Sequence, residues 1–222
     1  MEHRPTIWII GGGKFGLLSA RALRRHWPVA ELIVVEIDPQ ACQNLKDEAF
    51  QVVAGDAVDF LCEQLNGPDH PDWIVPVVPV HLAYQWIKRR LADHLSIRPL
   101  AVPEAVDALV VSAYRSGDET LVVSNADFAC PDHCPEPAAV CSYTKKPRPC
   151  IMHATLSALE LPGWTPVVVR SHQLLPGVGG YRPAALFAAL AAVEKAAGPV
   201  LLASACCCHG VINAFGPWAG RP

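Results

Sequence analysis

Residues 7–16 read Ile-Trp-Ile-Ile-Gly-Gly-Gly-Lys-Phe-Gly, an apolar run that ends in glycines at 11, 13 and 16. The run has the character of a strand buried on both faces, and Phe15, Leu17, Leu18, Ala22, Leu23 and Trp27 then recur at helical spacing. Strand, glycine loop and helix in that order make a cradle for a dinucleotide pyrophosphate. Gly11 permits the tight turn, Gly13 lets the backbone approach the phosphates, and Gly16 lets the helix pack on the strand. Unpaired N–H groups at the helix start attract the negative charge. Lys14 and Phe15 stand in the same loop and join the candidate cofactor contacts.

Working outward, Glu31–Asp38 (ELIVVEID) forms a second apolar strand that ends in acids. Glu36 lies twenty positions after Gly16, where a carboxylate can accept hydrogen bonds from both ribose hydroxyls, and Asp38 is the rival for that role. Either acid repels a ribose 2′-phosphate, so the expected ligand is NAD(H) rather than NADP. The segments GGGKFGLLSARAL (11–23), IVVEID (33–38) and FQVVAGDAVDFLCEQL (50–65) together resemble the nucleotide-binding domain of bacterial potassium-uptake regulators, the TrkA N-terminal or RCK type. The resemblance covers about residues 5–66. It implies that Gly11, Gly13 and Gly16 face the phosphates, Glu36 or Asp38 the ribose, and Gly55 with Asp56 the adenosine side.

Composition sets the outer limits. A chain of 222 residues, 51% of them hydrophobic, can bury a large core as one large domain or two small ones. A net charge of −3, with no basic stripe interleaved with aromatics, argues against nucleic acid as a partner. No apolar run approaches the roughly 18 residues of a membrane span, and the N-terminus lacks a signal-peptide cleavage region. The expectation is a cytoplasmic protein without direct membrane insertion.

A cytoplasmic setting changes how the nine cysteines read, because clustered thiols there point to metal binding or redox chemistry rather than disulfides. Cys42 and Cys62 fall on helix-like segments and read as small core residues. The others stand at 130, 134, 141, 150, 206, 207 and 208.

The strand-helix rhythm continues through Asp72–Val80 (DWIVPVVPV) as a fourth strand and His81–His94 as its helix. Residues 108–114 and 120–124, around Ser-Gly-Asp-Glu, then read as a hairpin. Residues 130–150 hold four cysteines and five prolines, a composition incompatible with regular helix or sheet. Beyond them the sequence predicts a strand over 166–170, a glycine turn over 174–180, a helix over 183–197 and a last strand over 199–204. The fold class is therefore α/β: a Rossmann-like, largely parallel sheet with helices on both faces, then a cysteine-rich loop and further α/β structure. The expected division is a dinucleotide-binding domain over 1–104 and an α/β region over 105–222 that carries the 130–150 loop.

Within that loop, proline after Cys130 and Cys134 stiffens a set of soft thiolates that favours iron–sulfur or zinc over hard cations. Intervals of three and six residues match neither the paired knuckles of zinc ribbons nor a ferredoxin run. The candidate metal ligands are Cys130, Cys134, Cys141 and Cys208, with Cys206 and Cys150 as rivals for the fourth place. An iron–sulfur centre leads because it would share a chain with a dinucleotide, and that pairing makes sense where electrons pass between nicotinamide and metal. His81, His153 and His172 lack an acid or nucleophile at a telling spacing; His133 could bind zinc, though the neighbouring cysteines are the more natural soft ligands, and His209 could activate the Cys208 thiolate, though adjacency in sequence does not make the side chains meet. Gly177, Gly179 and Gly180 could cradle a second anion or line the metal pocket, with a plain tight turn the preferred reading. The functions in view are an NAD(H)-linked iron–sulfur protein in redox exchange or sensing, and a TrkA-like nucleotide-sensing module with a structural zinc or thiol site. Either could work with a redox or regulatory protein partner, or as a homo-oligomer.

Overall fold

A computed structural model describes residues 4–66, 70–93, 95, 97–117, 119–136 and 139–216. The N-terminal half alternates strand and helix: β1 (Thr6–Ile10), α1 (Lys14–His26), β2 (Glu31–Glu36), α2 (Pro39–Asp47), β3 (Gln51–Ala54), α3 (Ala57–Gln64), β4 (Trp73–Pro76) and α4 (Leu82–Leu91). The four strands pair in parallel in the order β3-β2-β1-β4. This is the inner part of the Rossmann arrangement, with the change of direction between β1 and β4 that places a ligand crevice beyond the strand ends.

Alternation along β1 decides what lies on each face. Ile7 and Ile9 pack with Ala20 and Leu23 of α1 and Leu45 of α2. Trp8 and Ile10 pack on the other face with Leu61 of α3 and Trp86 and Ile87 of α4. Helices therefore cover both faces, as continuous apolar strands require. Each helix start is specified locally: Asp38 and Asp56 cap α2 and α3 through their carboxylates, and Pro39 takes the first helical position of α2.

The second half builds a different sheet. After β5 (Pro99–Leu100) and a 3-10 turn (Glu104–Leu109) come β6 (Ser112–Ser116), β7 (Thr120–Ser124), α5 (Met152–Ser157), β8 (Thr165–Arg170), β9 (His172–Leu175), β10 (Val178–Gly180), α6 (Pro183–Lys195), β11 (Val200–Ala205) and β12 (His209–Phe215). Six of these strands form one mostly antiparallel sheet ordered β6-β7-β12-β11-β8, with β5 against β12. β9 and β10 form a separate hairpin, which docks on β4 through the Ile74–Tyr181 bridge.

Several expectations change in detail. The expected last strand is followed by β12, so Cys206–Cys208 occupy the turn of a hairpin and not a chain leaving the sheet. The glycine stretch 174–180 is itself the β9–β10 hairpin, turned at Gly177, whose φ of +78° suits glycine. The apolar run at 108–114 begins in the 3-10 turn, and pairing with β7 starts at Ser112. The fourth strand stops at Pro76, because Pro76 and Pro79 interrupt its ladder. His94, the expected end of α4, lies outside the described residues. No helix among the described residues is long and apolar enough to cross a membrane.

Candidate functional site

The glycine loop is shaped by what surrounds each missing side chain. Gly11 has φ of +105°, and a Cβ there would stand 2.5 Å from the Val77 carbonyl oxygen. A Cβ on Gly16 would stand 2.0 Å from the Gly11 carbonyl oxygen, so glycine is what lets α1 close on the loop. Gly13 caps α1 with nothing within 4 Å of its Cβ position, leaving its backbone open to the crevice. Lys14 and Phe15 follow on the outer face, Phe15 half exposed with the Lys14 ammonium 5.0 Å from its ring centre.

The two candidate ribose acids have different duties. The Glu36 carboxylate accepts from Gly12 N–H at 2.5 Å, and from Ile37 and Asp38 N–H at 2.8 and 2.7 Å. It is thereby fixed at the mouth of the glycine loop. Asp38 accepts from Ala41 N–H at 2.7 Å as the cap of α2. Asp56 likewise accepts from Val58 and Asp59 N–H to cap α3, while Gly55 donates to the Glu36 carbonyl at 2.9 Å.

A cavity of about 470 Å³ lies in the second half of the chain, lined by Cys130, Cys134, Cys141, Cys206, Cys208 and His209 among others. The structure thus gathers the four candidate ligands Cys130, Cys134, Cys141 and Cys208 on one wall system. Cys150 is held elsewhere, its thiol donating to Asn125 Oδ1 at 3.3 Å. Asn125 ties the base of the site together: its N–H donates to the Cys208 carbonyl and its amide nitrogen to the Cys150 and Cys207 carbonyls. Residues 139–148 close on themselves through Cys141 N–H to Lys146 O and Arg148 N–H to Ala139 O, both 2.9 Å.

Each of the five sulfurs on the cavity wall has a polar partner. Cys134 accepts from Glu136 N–H at 3.4 Å and Cys141 from Thr144 N–H at 3.5 Å. Cys206 accepts from Cys208 and His209 N–H at 3.4 and 3.3 Å. Cys130 stands 3.5 Å from His209 Nε2, and Arg148 donates to Cys208. Burial pushes Cys206 up to about 12 and Cys208 up to about 11. The Arg148 charge opposes the shift of Cys208 without cancelling it, and the neighbouring Cys134 and Cys130 add to it. Cys130 is raised by burial and then by Cys134 and Cys141, whereas the hydrogen bond from Thr144 lowers Cys141. All nine cysteines are free thiols, and among the described residues no group of three His, Cys, Asp or Glu side chains converges as a ready-made metal site.

The two sites meet through an exposed ion pair. Lys14 Nζ, in the first turn of α1, lies 3.8 Å from Asp132 Oδ2, between Cys130 and Cys134. Gly177 presses on the Asp132 carbonyl, where a Cβ would come within 1.9 Å, and Gln173 Nε2 donates to the Cys134 carbonyl. Val178, on the cavity wall, packs into the same core as Ile9 and Val75. Gln173, Asn125, Glu136 and Arg148 escaped the sequence reading. Only Arg148, between Pro147 and Pro149 inside the cysteine loop, carried a usable signal there.

Comparison with known proteins places both halves. A family model described as an uncharacterized protein, C-terminal domain, matches residues 83–217. The chain belongs to this family. The TrkA-N domain model matches residues 7–82, so the N-terminal part is a TrkA-N domain and extends past the 5–66 stretch that carries the motifs. A protein of Archaeoglobus fulgidus described as uncharacterized is 29% identical over 223 residues, covering 93% of this chain and 97% of that relative. No solved structure matches the chain. TrkA-N domains bind NAD(H) generally, and the open backbone at Gly13 beside the fixed Glu36 carboxylate fits such a ligand.

Proposed function

We propose that the protein is an NAD(H)-binding module whose cysteine cavity holds an iron–sulfur centre, ligated by Cys130, Cys134, Cys141 and Cys208, in redox exchange with the dinucleotide or as a sensor of its state. The observation that carries this reading is the contact of Lys14 with Asp132, which sets the dinucleotide cradle against the cysteine loop. In this reading Gly11, Gly13, Lys14, Phe15, Gly16 and Glu36 hold the dinucleotide, Gly55 and Asp56 bound its adenosine side, and Asp38 serves the helix. Residues 1–104 supply the dinucleotide unit and 105–222 the metal-bearing one.

A cluster is favoured over a single zinc ion by the pairing of thiols with a dinucleotide site in one chain, which makes sense where electrons pass between them. Cys130, Cys134, Cys141 and Cys208 line one cavity, and four soft thiolates are the donor set of such a cluster. Backbone N–H donors on Cys134 and Cys141 are of the kind that tune cluster sulfurs. Anaerobic purification followed by iron, sulfide and zinc analysis tests the reading. It expects iron with matching sulfide and a visible absorption that changes when NADH is added. Colourless, iron-free protein from an anaerobic preparation sinks the cluster.

The TrkA-N match favours a second reading, a nucleotide-sensing regulatory module in which the cysteines hold a structural zinc or remain thiols. Stoichiometric zinc, together with calorimetric binding of NADH or ATP and no electron transfer, is the result that selects it. Its action would then pass through a protein partner or a second copy of the chain.

A further inference from the structure

Among the described residues, the Arg148 guanidinium is the one donor facing the four assigned sulfurs that carries a permanent charge. It is delivered by a closed piece of backbone. Arg148 N–H bonds to Ala139 O at 2.9 Å, and the Val140–Pro147 bridge lies immediately inside. A charge of opposite sign stands at the neighbouring backbone N–H of the same turn. Glu136 has φ of +46°, a conformation uncommon for a residue with a side chain, and its carboxylate accepts from Cys207 N–H. From there its field reaches Cys206, Cys207 and Cys208.

We propose that Arg148 and Glu136 are opposed positioning residues for the cysteine centre, Arg148 raising its reduction potential and Glu136 lowering it, both acting through Cys208. The proposal rests on the iron–sulfur reading above. Reduction adds one negative charge to a centre already bound by thiolates. A fixed cation within hydrogen-bond reach of a ligand sulfur stabilises the reduced form, and a nearby carboxylate stabilises the oxidised form. Arg148 is half-buried, so solvent screens its field only in part. The two residues thus hold one turn, Arg148 at the Cys208 sulfur and Glu136 at the adjacent Cys207 N–H, and the balance between them decides how readily NADH can reduce the centre.

The test is an anaerobic redox titration of the full chain, followed by visible absorption, on the wild type, Arg148→Gln, Arg148→Lys and Glu136→Gln. Lys145→Gln removes an exposed charge whose ammonium bonds to the Ser142 carbonyl, and serves as a control. Arg148→Gln is expected to titrate at a more negative potential than the wild type, with Arg148→Lys between the two. Glu136→Gln is expected at a more positive potential, and Lys145→Gln unchanged. Shifts of both Arg148→Gln and Glu136→Gln in the same direction, or of neither, overturn the proposal. If Arg148→Gln loses its iron, Glu136→Gln decides alone: a positive shift supports the proposal and an unmoved potential overturns it. Absence of iron from the wild type removes the iron–sulfur reading and the proposal together, whereas iron with unmoved potentials removes the proposal alone.

Discussion

Gly13 and Gly16 are three residues apart, yet the positions their Cβ atoms would take meet opposite surroundings. At Gly13 the space is empty and φ is −62°, which any residue adopts; at Gly16 the Gly11 carbonyl stands 2.0 Å away. Gly13→Ala should therefore fold with stability within about 1 kcal/mol of wild type, while weakening NADH by roughly tenfold or more, because the methyl occupies the phosphate approach. Gly16→Ala should instead cost about 1–3 kcal/mol by forcing α1 off the loop. Urea unfolding and calorimetric NADH titration of the two variants separate these effects. Equal loss of stability in both would contradict the division of labour between the glycines. The acids divide in a similar way. Sequence distance leaves Glu36 and Asp38 equivalent for the ribose, and only the path of the chain commits Asp38 to the start of α2.

Among the elements, α4 and the β11–β12 hairpin meet at one buried imidazole. His81 Nδ1 lies 2.8 Å from Asn213 Oδ1, and Nε2 lies 2.9 Å from Ser204 Oγ. The Asn213 amide nitrogen donates to the Glu119 carbonyl and to Thr120, so its oxygen must accept from His81. Nδ1 then carries the proton and Nε2 accepts from Ser204, in a neutral ring that joins the Rossmann half to β11 and β12. Burial lowers the His81 pKa from 6.5 to about 4. The unfolded chain binds the proton more readily, so this contribution to stability is complete above pH 6.5 and is lost as pH falls toward 4. The full loss is about 3 kcal/mol. Urea midpoints at pH 7 and pH 4.5 should diverge more in the wild type than in His81→Gln, and equal divergence would show that His81 is not the titrating group.

The same elements show what the sequence could convey. β1 and β2 are continuous apolar runs, which only a doubly covered strand requires, so they were legible. β12 (HGVINAF) was not, because Gly210 and Asn213 break its apolar pattern; Asn213 is there to orient His81, and Gly210 sits against Ala205 and Val123. α5 has six residues, too few to give a helical period, and is held by Met152 and His153 N–H bonds to the Cys207 and Cys206 carbonyls. The cysteine site was legible by density alone. Its closing partners Asn125, Gln173 and Glu136 owe their roles to backbone paths that spacing does not encode.

At the scale of the molecule the two sheets are not separate bodies but neighbours on one core. Trp8, Ile10 and the α4 residues Tyr84, Trp86, Ile87 and Leu91 share a buried cluster with Val167 and Val169 of β8, Leu186 and Val193 of α6, Leu202 of β11 and Phe215 of β12. The layers run α1 and α2, first sheet, α3, α4 and α6, second sheet, then α5 with the 3-10 turn, which cover its far face through Val106, Met152 and Leu156. Removing residues 105–222 would bare the inner face of α4. At about 1.5–3 kcal/mol for each large side chain, that exposure rivals the roughly 5–15 kcal/mol that holds a domain folded. The hairpin partner of β4 at Tyr181 would go with it. A 1–104 fragment should therefore show helical signal without a cooperative thermal transition and should bind no NADH, whereas the full chain should melt in a single transition. Circular dichroism melts of both, with and without NADH, decide the matter. A cooperative, NADH-stabilised melt of the fragment would mean that the dinucleotide unit folds alone and that the shared core is an interface between independent domains.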